Sequence, residues 1–245
     1  MIVDEVGDPG GAPVVYLHGG GDSRLSRHPD DEIAASLGIR LLAVDRSGPA
    51  ERYPTLRAWA ERVAALLTVE ERFAAVGWSA GGPHALALAA VAGERVRRVA
   101  LVGSTPPSDR PDTLPADVRA LTRVARVAPR LAQLPLERWG RRPTRPTGDS
   151  ATDEAYARGR VEAFRAGGLW LARELAYLGR PWGFELGDVR APVTLWWGER
   201  DATSPPAIAE EYARRLPDAT VQLVDDGHQL LFSRWREILA DLADR

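Results

Sequence analysis

The sequence predicts an α/β fold: a mostly parallel, doubly wound sheet with an inserted helical cap. Three observations support this. Apolar runs of strand length alternate along the chain with segments of helical periodicity. The strand candidates are continuously apolar rather than alternating, which is typical of parallel strands covered on both faces. The chain has 245 residues, a length that suits one α/β domain with an insertion.

The first part of the chain contains four strand candidates, each running into a turn or a glycine-rich loop. The strand candidates lie at 14–18, 40–44, 72–77 and 99–102, and the helix candidates at 30–37, 55–67 and 84–91. The first strand ends at Gly19–Gly21 and the second at the turn Asp45–Pro49. Open α/β sheets bind ligands beyond the carboxyl ends of their strands, so functional residues are expected in these loops.

The last part of the chain continues the alternation. A strand at 193–197 runs into the turn Gly198–Asp201. Ser204 and Pro205 then have the character of an N-cap and a first helical residue, so a helix is expected from there to about 216. The last strand is predicted at 220–224 and the final helix at about 230–242.

Residues 105–189 interrupt this pattern. They contain many prolines and glycines, no convincing strand, and helical segments such as 117–127 and 155–178. The stretch 141–149 is predicted to be a mobile loop. We therefore expect a core formed by residues 1–104 and 190–245, with residues 105–189 as a helical cap inserted over the sheet edge that carries the active site.

One short motif points to chemistry. Gly77-Trp78-Ser79-Ala80-Gly81 lies between a buried strand candidate and an almost entirely apolar helix candidate. A Gly-x-Ser-x-Gly sequence in a strand–turn–helix setting holds a serine with its hydroxyl exposed, and glycines allow the close backbone approach. Ser79 is therefore the predicted nucleophile. The alternative is a serine in a tight turn that caps the next helix.

A serine nucleophile needs a base, and the base needs an acid that orients it. Asp201 follows one late strand and His228 follows the next, which gives the chain order Ser, Asp, His. Glu199, Asp225 and Asp226 compete for the role of the acid, and Asp201 itself has a plain alternative as a turn residue. Among the other histidines, His18 is expected to position the glycine loop, His84 to pack or face solvent, and His28 carries no signal.

The developing oxyanion needs hydrogen-bond donors. The backbone N–H of Ala80, next to the nucleophile, and that of Gly20, in the first glycine loop, are the predicted pair. The alternative for Gly19–Gly21 is a loop that is merely flexible. Aromatic residues near the motif and in the cap are candidates for an apolar substrate pocket, although such residues often belong to the core. The candidates are Trp78, Trp170, Tyr177 and Trp182.

Composition excludes several classes of function. The formal net charge of −2 gives no reason to expect nucleic acid or an anionic membrane as a partner. The chain has no cysteine, which excludes disulfides and thiolate chemistry, and its four histidines show no metal-ligand spacing. No metal site is predicted. No signal peptide or membrane span is apparent, so a cytoplasmic location is expected. The sequence carries no information on the oligomeric state.

The chain resembles the α/β-hydrolase superfamily over nearly its whole length, and most closely the small bacterial serine hydrolases with a helical cap. The resemblance is carried by residues 15–20, 45–48, 77–86, 198–201 and 227–230. The resemblance implies a triad of Ser79, His228 and Asp201, an oxyanion hole near Gly20 and Ala80, and no cofactor. The family usually opens with a β-hairpin, but only residues 2–6 are available for it here, so the sheet is expected to lack its first strand.

The expected function is therefore hydrolysis of an ester or a related acyl compound. The substrate is a small molecule, predicted to be of small to medium size and apolar, that forms an acyl-enzyme on Ser79. Two alternatives remain open. The same triad can serve carbon–carbon bond hydrolysis, perhydrolysis, acyl transfer or lyase chemistry, because fold does not settle reaction type. The chain can also be a ligand sensor that does not hydrolyse its ligand.

Overall fold

The computed structural model describes residues 2–46, 52–67, 72–144 and 146–243. Within these ranges it contains one seven-stranded sheet in the order β1-β3-β2-β4-β5-β6-β7. All neighbouring strands pair in parallel except β1, which pairs antiparallel with β3. The predicted fold class is confirmed. The strands are β1 Val3–Gly7, β2 Ala12–Leu17, β3 Ile39–Val44, β4 Phe73–Trp78, β5 Val96–Val102, β6 Val193–Gly198 and β7 Ala219–Val224.

Helices cover both faces of the sheet, because successive strand residues point to opposite sides. Along β2, Val15 and Leu17 join a cluster that includes residues of α2, α3 and α8, whereas Val14 and Tyr16 join a cluster with α1, α9 and α10. The helices are α1 Glu32–Ser36, α2 Leu56–Leu66, α3 Gly81–Ala92, α4 Ala116–Val127, α5 Pro129–Gly140, α6 Ser150–Phe164, α7 Leu169–Leu178, α8 Ala207–Arg215, α9 Leu230–Ser233 and α10 Trp235–Ala243.

Four helices, α4 to α7, lie between β5 and β6; we call them the cap helices. The single helical segment predicted at 155–178 is wrong, because the chain leaves the helix after Phe164 and resumes it at Leu169. Gly167 has a φ of +83°, a left-handed conformation that interrupts a helix. Helix α5 was not predicted, since Pro135 lies inside it. The division into core and cap at 105–189 stays a prediction.

Two further helix boundaries differ from the predictions. Ser204 is not an N-cap: α8 begins at Ala207, and the Ser204 hydroxyl donates to the carbonyl of Ser104 at 2.9 Å. The final helix is interrupted at Arg234, which separates α9 from α10. In the predicted turn 45–49, Asp45 and Arg46 are described, and the remaining three residues lie outside the described ranges. The predicted loop at 141–149 connects α5 to α6, and its residue 145 also lies outside those ranges.

The N-terminal segment forms one strand rather than a hairpin in the part of the chain that the structure describes. Val3–Gly7 pairs with β3 over its full length. The expected loss of the first strand stays a prediction. No helix among the described residues combines the length and the apolar character that crossing a membrane requires.

Candidate active site

Ser79 occupies the sharp turn between β4 and α3. Among described residues other than glycine, it alone has a positive φ, at 52°. The turn is fixed on both sides: the Ser79 N–H donates to the carbonyl of Val102 at 2.9 Å, and its carbonyl accepts from Gly82 at 3.0 Å. A Cβ atom at Gly81 would lie 2.1 Å from the carbonyl oxygen of Leu17, so only glycine fits there. The sequence therefore imposes a strained serine whose side chain is partly exposed.

The structure brings Ser79, His228 and Asp201 together in one hydrogen-bonded chain. His228 Nε2 lies 3.1 Å from Ser79 Oγ, and His228 Nδ1 lies 2.7 Å from Asp201 Oδ2. The other Asp201 oxygen accepts from the backbone N–H groups of Thr203 and Ser204, both at 2.8 Å. An ionised carboxylate only accepts hydrogen bonds, so Asp201 favours the tautomer with the proton on Nδ1. In that tautomer Nε2 is free to accept the serine proton.

In the part of the chain that the structure describes, no hydrogen bond or ion pair joins Glu199, Asp225 or Asp226 to His228. Asp225 pairs with Arg200 on the surface, and Asp226 accepts from the backbone of Gly227. Asp201, in contrast, is only 2% exposed and faces the imidazole directly. Burial and direct contact therefore both favour Asp201 among the acids that the sequence left open.

Gly103 and Trp78 shape the space around the imidazole. A Cβ atom at Gly103 would lie 3.0 Å from Asp201 Oδ2 and 3.3 Å from His228 Nδ1, and the φ there is +49°. Trp78 is 1% exposed, its Nε1 donates to the His228 carbonyl at 3.0 Å, and its ring lies 5.7 Å from the imidazole. Trp78 thus packs behind the histidine, between β4 and the His228 loop.

The two predicted oxyanion donors belong to neighbouring segments. Gly20 is partly exposed, and a Cβ atom built on it would lie 3.4 Å from the side chain of Ala80. The peptide bond between Gly19 and Gly20 is trans. In this trans peptide group the Gly19 carbonyl points away from the Gly20 N–H. A hydrogen bond that holds the Gly19 carbonyl therefore also fixes the direction of the Gly20 N–H.

A buried ion pair holds that carbonyl. Arg46, after β3, and Glu174, on α7, have side chains that are 0% exposed. They form two parallel hydrogen bonds, at 2.7 Å from Nε and 2.8 Å from Nη2. Arg46 Nη2 also donates to the carbonyl of Gly19 at 3.1 Å, and Nη1 donates to the carbonyl of His18. Glu174, on the cap helix α7, therefore neutralises the charge of Arg46, and Arg46 holds the glycine loop.

Two neutral histidines complete this buried network. Burial first, and then the charge of Arg46, lowers the pKa of His18 and of His84 well below the ordinary value. His18 Nδ1 lies 2.9 Å from the Gly19 carbonyl, in line with the predicted positioning role. His84 is 0% exposed, with Nδ1 2.7 Å from the Ala80 carbonyl and Nε2 2.9 Å from the Tyr177 hydroxyl. His84 is therefore a hydrogen-bonded core residue.

A second buried pair joins the same glycine loop to the cap. Asp22 Oδ1 lies 3.1 Å from Arg160 Nε on α6, and the Arg160 guanidinium stacks 4.2 Å from the Trp139 ring. Burial raises the pKa of Asp22 to about 6, although the charge of Arg160 opposes the shift. The loop is thus attached to the cap at two points.

Sequence reasoning missed these pairs. Arg46 lies in the predicted turn Asp45–Pro49, but no neighbouring residue indicates a partner 128 residues away. The only signal was local: a glutamate at 174 interrupts the apolar face of a helix rich in leucine and alanine. A charge on such a face requires a buried partner.

The remaining pocket candidates are largely covered. Trp170 is 5% exposed and packs edge-on against His18, with its Nε1 bonded to the Ala163 carbonyl. Tyr177 is 2% exposed, and Trp182, at 5%, stacks on Phe184 within the core cluster. Their contact with substrate stays a prediction. Within the described ranges, no group of three or more His, Cys, Asp or Glu residues is arranged to hold a metal ion.

Comparison with known proteins identifies the family of this chain. A family model described as alpha/beta hydrolase fold matches residues 12–234. The chain is 32% identical over 231 residues to the pimeloyl-[acyl-carrier protein] methyl ester esterase of Aromatoleum aromaticum, covering 88% of this chain and 90% of that protein. A solved thermophilic esterase from Thermogutta terrifontis has a TM-score of 0.69 at 22% identity, with 98% and 90% coverage. The enol-lactonase of Burkholderia xenovorans has a TM-score of 0.70 at 18% identity, with 98% and 95% coverage.

Proposed function

The chain is an enzyme of the α/β-hydrolase family, and from that premise we propose that it is a serine esterase acting through an acyl-enzyme on Ser79. The observation that carries the proposal is the unbroken hydrogen-bonded chain from Ser79 Oγ through His228 to Asp201. The similarity to proteins named as esterases supports ester hydrolysis. The substrate is expected to be a small molecule.

The chemistry follows from the donors and acceptors in place. Ser79 Oγ attacks the ester carbonyl carbon while His228 Nε2 takes the hydroxyl proton. The imidazolium then gives that proton to the departing alkoxide, which leaves as an alcohol. Water, deprotonated by the same nitrogen, then attacks the acyl carbonyl carbon. The bond from that carbon to Ser79 Oγ breaks, the imidazolium returns its proton to Oγ, and a carboxylic acid is released. Asp201 fixes the tautomer and stabilises the imidazolium throughout.

The oxyanion is stabilised by the backbone N–H groups of Ala80 and Gly20 in this proposal. Each such preorganised donor contributes about 3–4 kcal/mol to transition-state stabilisation in serine hydrolases. Arg46 acts as a positioning residue here, because it bonds the carbonyl of the same peptide group that presents the Gly20 N–H. Glu174 in turn holds Arg46, so the cap helix α7 supports the oxyanion donor indirectly.

The substrate class is proposed on a coarser basis. The relative from Aromatoleum aromaticum is named for the methyl ester of pimeloyl-[acyl-carrier protein], and the predicted pocket residues of this chain are aromatic side chains with little exposed surface. Both favour an ester with a small to medium apolar acyl group. The predicted cytoplasmic location stays a prediction.

Labelling with a fluorophosphonate probe tests the nucleophile. We expect the folded wild-type protein to be labelled, Ser79→Ala to be unlabelled, and Asp201→Asn to lose about 10⁴-fold in kcat, as in other triads. Labelling of the Ser79→Ala variant, or no labelling of wild type, contradicts the assignment of Ser79.

A series of p-nitrophenyl esters of increasing acyl length tests the reaction. Turnover with a maximum at short to medium chains is expected. Labelling of Ser79 without turnover of any ester in the series would point instead to another reaction on the same triad. Tight binding of an ester without turnover or labelling would indicate a sensor.

A further inference from the structure

Gly20 and Gly21 lie at the edge of the space in front of the nucleophile. Gly20 is partly exposed, and a Cβ atom built on it would lie 3.4 Å from the side chain of Ala80, the residue after Ser79. Gly21 follows with a φ of +73°. Consecutive Cα atoms are about 3.8 Å apart, so a side chain that touches Gly21 lies close to the backbone N–H of Gly20, the predicted oxyanion donor.

The indole of Trp139, near the end of α5, packs directly on Gly21. A Cβ atom built on Gly21 would overlap Trp139 Cζ3 and lie 2.8 Å from Cη2, so only glycine fits beneath this ring. Trp139 is nevertheless 36% exposed, whereas Trp170, which the sequence singled out for the pocket, is 5% exposed. A large aromatic surface that stays open beside the glycine loop can contact a bound substrate.

Arg160, on α6, fixes the orientation of this indole. Its guanidinium stacks 4.2 Å from the Trp139 ring. The same guanidinium is held by Asp22, at 3.1 Å from Nε, and by the Tyr156 hydroxyl, at 3.2 Å from Nη2. Asp22 follows Gly21 in the chain, so the contacts form a closed ring that returns to the loop on which the indole lies. The indole is therefore held in place before a substrate arrives.

We propose that Trp139 is a specificity-determining residue, whose indole limits the length of the ester group that extends from Ser79 past the glycine loop toward α5. This inference rests on the proposed esterase function. An ester carbonyl oxygen bound by the Gly20 N–H lies about 2.7–3.1 Å from that nitrogen. A carbon chain that leaves the carbonyl on this side meets the indole after a few bonds. Short chains then pack against the ring, and longer ones overlap it.

A role in packing alone makes a different prediction. Trp139 also lies against Phe164, with ring centroids 6.2 Å apart, so its removal loosens contacts within the cap helices. A variant that only loosens the fold has less active protein and loses turnover of all esters by the same factor. Removal of a steric limit changes the ratio between long and short esters instead. That ratio separates the two roles.

Hydrolysis of two ester series by the full chain tests the proposal. The first series is p-nitrophenyl esters from acetate to dodecanoate, and the second is acetate esters of alcohols from methanol to octanol. In one series we expect Trp139→Ala to raise the ratio of kcat/KM for the long ester over the short one at least about tenfold. One or two methylene groups in an apolar pocket have an effect of that order. Trp139→Phe keeps a smaller ring and should give a smaller change in the same direction.

The matched control is Leu134→Ala. Leu134 is 62% exposed and lies on the same helix, five residues before Trp139 and therefore about 140° around the helix axis. Its truncation removes apolar surface from α5 without touching the glycine loop, so the ratios should equal those of wild type. The Tm of each variant records any loss of packing separately.

The outcomes distinguish this inference from the proposed function. A shift in the acyl series assigns the limit to the acyl group, and a shift in the alcohol series assigns it to the alcohol. Unchanged ratios in both Trp139 variants overturn the proposal, as does an equal shift in Leu134→Ala. If wild type turns over no ester, the esterase function fails, and the relative rates at which long-chain and short-chain fluorophosphonates label Ser79 measure the same limit. Equal relative rates in wild type and Trp139→Ala, or no labelling at all, then overturn the role of Trp139.

Discussion

Replacing Glu174 by glutamine removes one charge from the buried pair with almost no change in volume. The Arg46 side chain is 0% exposed, so its cation would be left without a counter-ion. A glutamine offers one acceptor oxygen and one amide nitrogen, and the nitrogen would face a guanidinium donor. One of the two hydrogen bonds from Arg46 to Glu174, at 2.7 and 2.8 Å, would therefore be lost. Breaking a buried pair from one side costs about 3–5 kcal/mol, and we expect Glu174→Gln to lose that much stability.

Urea unfolding monitored by tryptophan fluorescence measures this loss, and thermal unfolding should show a decrease in Tm of about 6–20 °C for a chain of this size. The control is Glu61→Gln, which removes one partner of the exposed pair with Arg57, whose side chains are 46% and 53% exposed. That change should cost no more than about 0.5 kcal/mol. A loss below about 1 kcal/mol for Glu174→Gln would refute the claim that the buried charge needs its partner.

The double variant Arg46→Met/Glu174→Leu separates stability from positioning. Replacing both charges by apolar side chains of similar volume often restores stability. It cannot restore the hydrogen bond from Arg46 to the Gly19 carbonyl. We expect a recovered Tm together with a kcat at least about tenfold below wild type and a nearly unchanged KM, as for an impaired oxyanion donor. Recovery of both Tm and kcat would show that Arg46 does not position the loop.

Three further predictions concern residues near the triad. Gly103→Ala places a Cβ atom 3.0 Å from the Asp201 carboxylate at a φ of +49°, and should lower kcat/KM at least about tenfold. The control Gly93→Ala (φ +55°, open space) should cost only the backbone strain of about 1–2 kcal/mol. The pKa of His84 is lowered, so below pH ~6.5 the unfolded chain binds a proton that the folded chain does not. Stability should therefore fall as the pH drops through that range, by up to about 1.4 kcal/mol per pH unit. Urea unfolding compared from pH 8 to pH 5 should show a shallower fall in His84→Gln. Trp78→Phe removes the 3.0 Å bond to the His228 carbonyl and should cost about 1–3 kcal/mol of stability, with identical urea curves counting against it.

The sequence was informative wherever function depends on local backbone geometry. The glycines around Ser79 can be recognised from the motif alone, although their contacts differ: Gly77 is required by a contact within the strand–turn–helix unit, and Gly81 by the Leu17 carbonyl on β2. The positions of Asp201 and His228 follow from a general property of parallel sheets, in which residues after successive strands meet at one edge. The inner strands β2 to β6 follow from continuous apolar runs, which leave no polar face for solvent, whereas the edge strand β1, with Asp4 and Glu5, was not predicted.

The missed features depend on pairings between distant segments or on single residues that override a periodic pattern. Arg46 and Glu174 are 128 residues apart, and no periodicity connects an arginine in a turn with a glutamate on a helix. The break at Gly167 was hidden because apolar residues continue on both sides of it. Ser204 has the sequence of an N-cap, but its backbone N–H is bonded to Asp201, and the helix begins two residues later than predicted.

The Arg46–Glu174 pair also bears on how such a protein can diversify. One partner of this pair follows β3 of the sheet and the other lies on α7, one of the cap helices, and neither charge is tolerable alone in a dry interior. An insertion taken from another protein would have to bring its own acid at the position of Glu174, or the recipient would have to lose its arginine first. The cap helices of this chain therefore cannot be exchanged independently of Arg46, and grafting experiments should move Arg46 and Glu174 together.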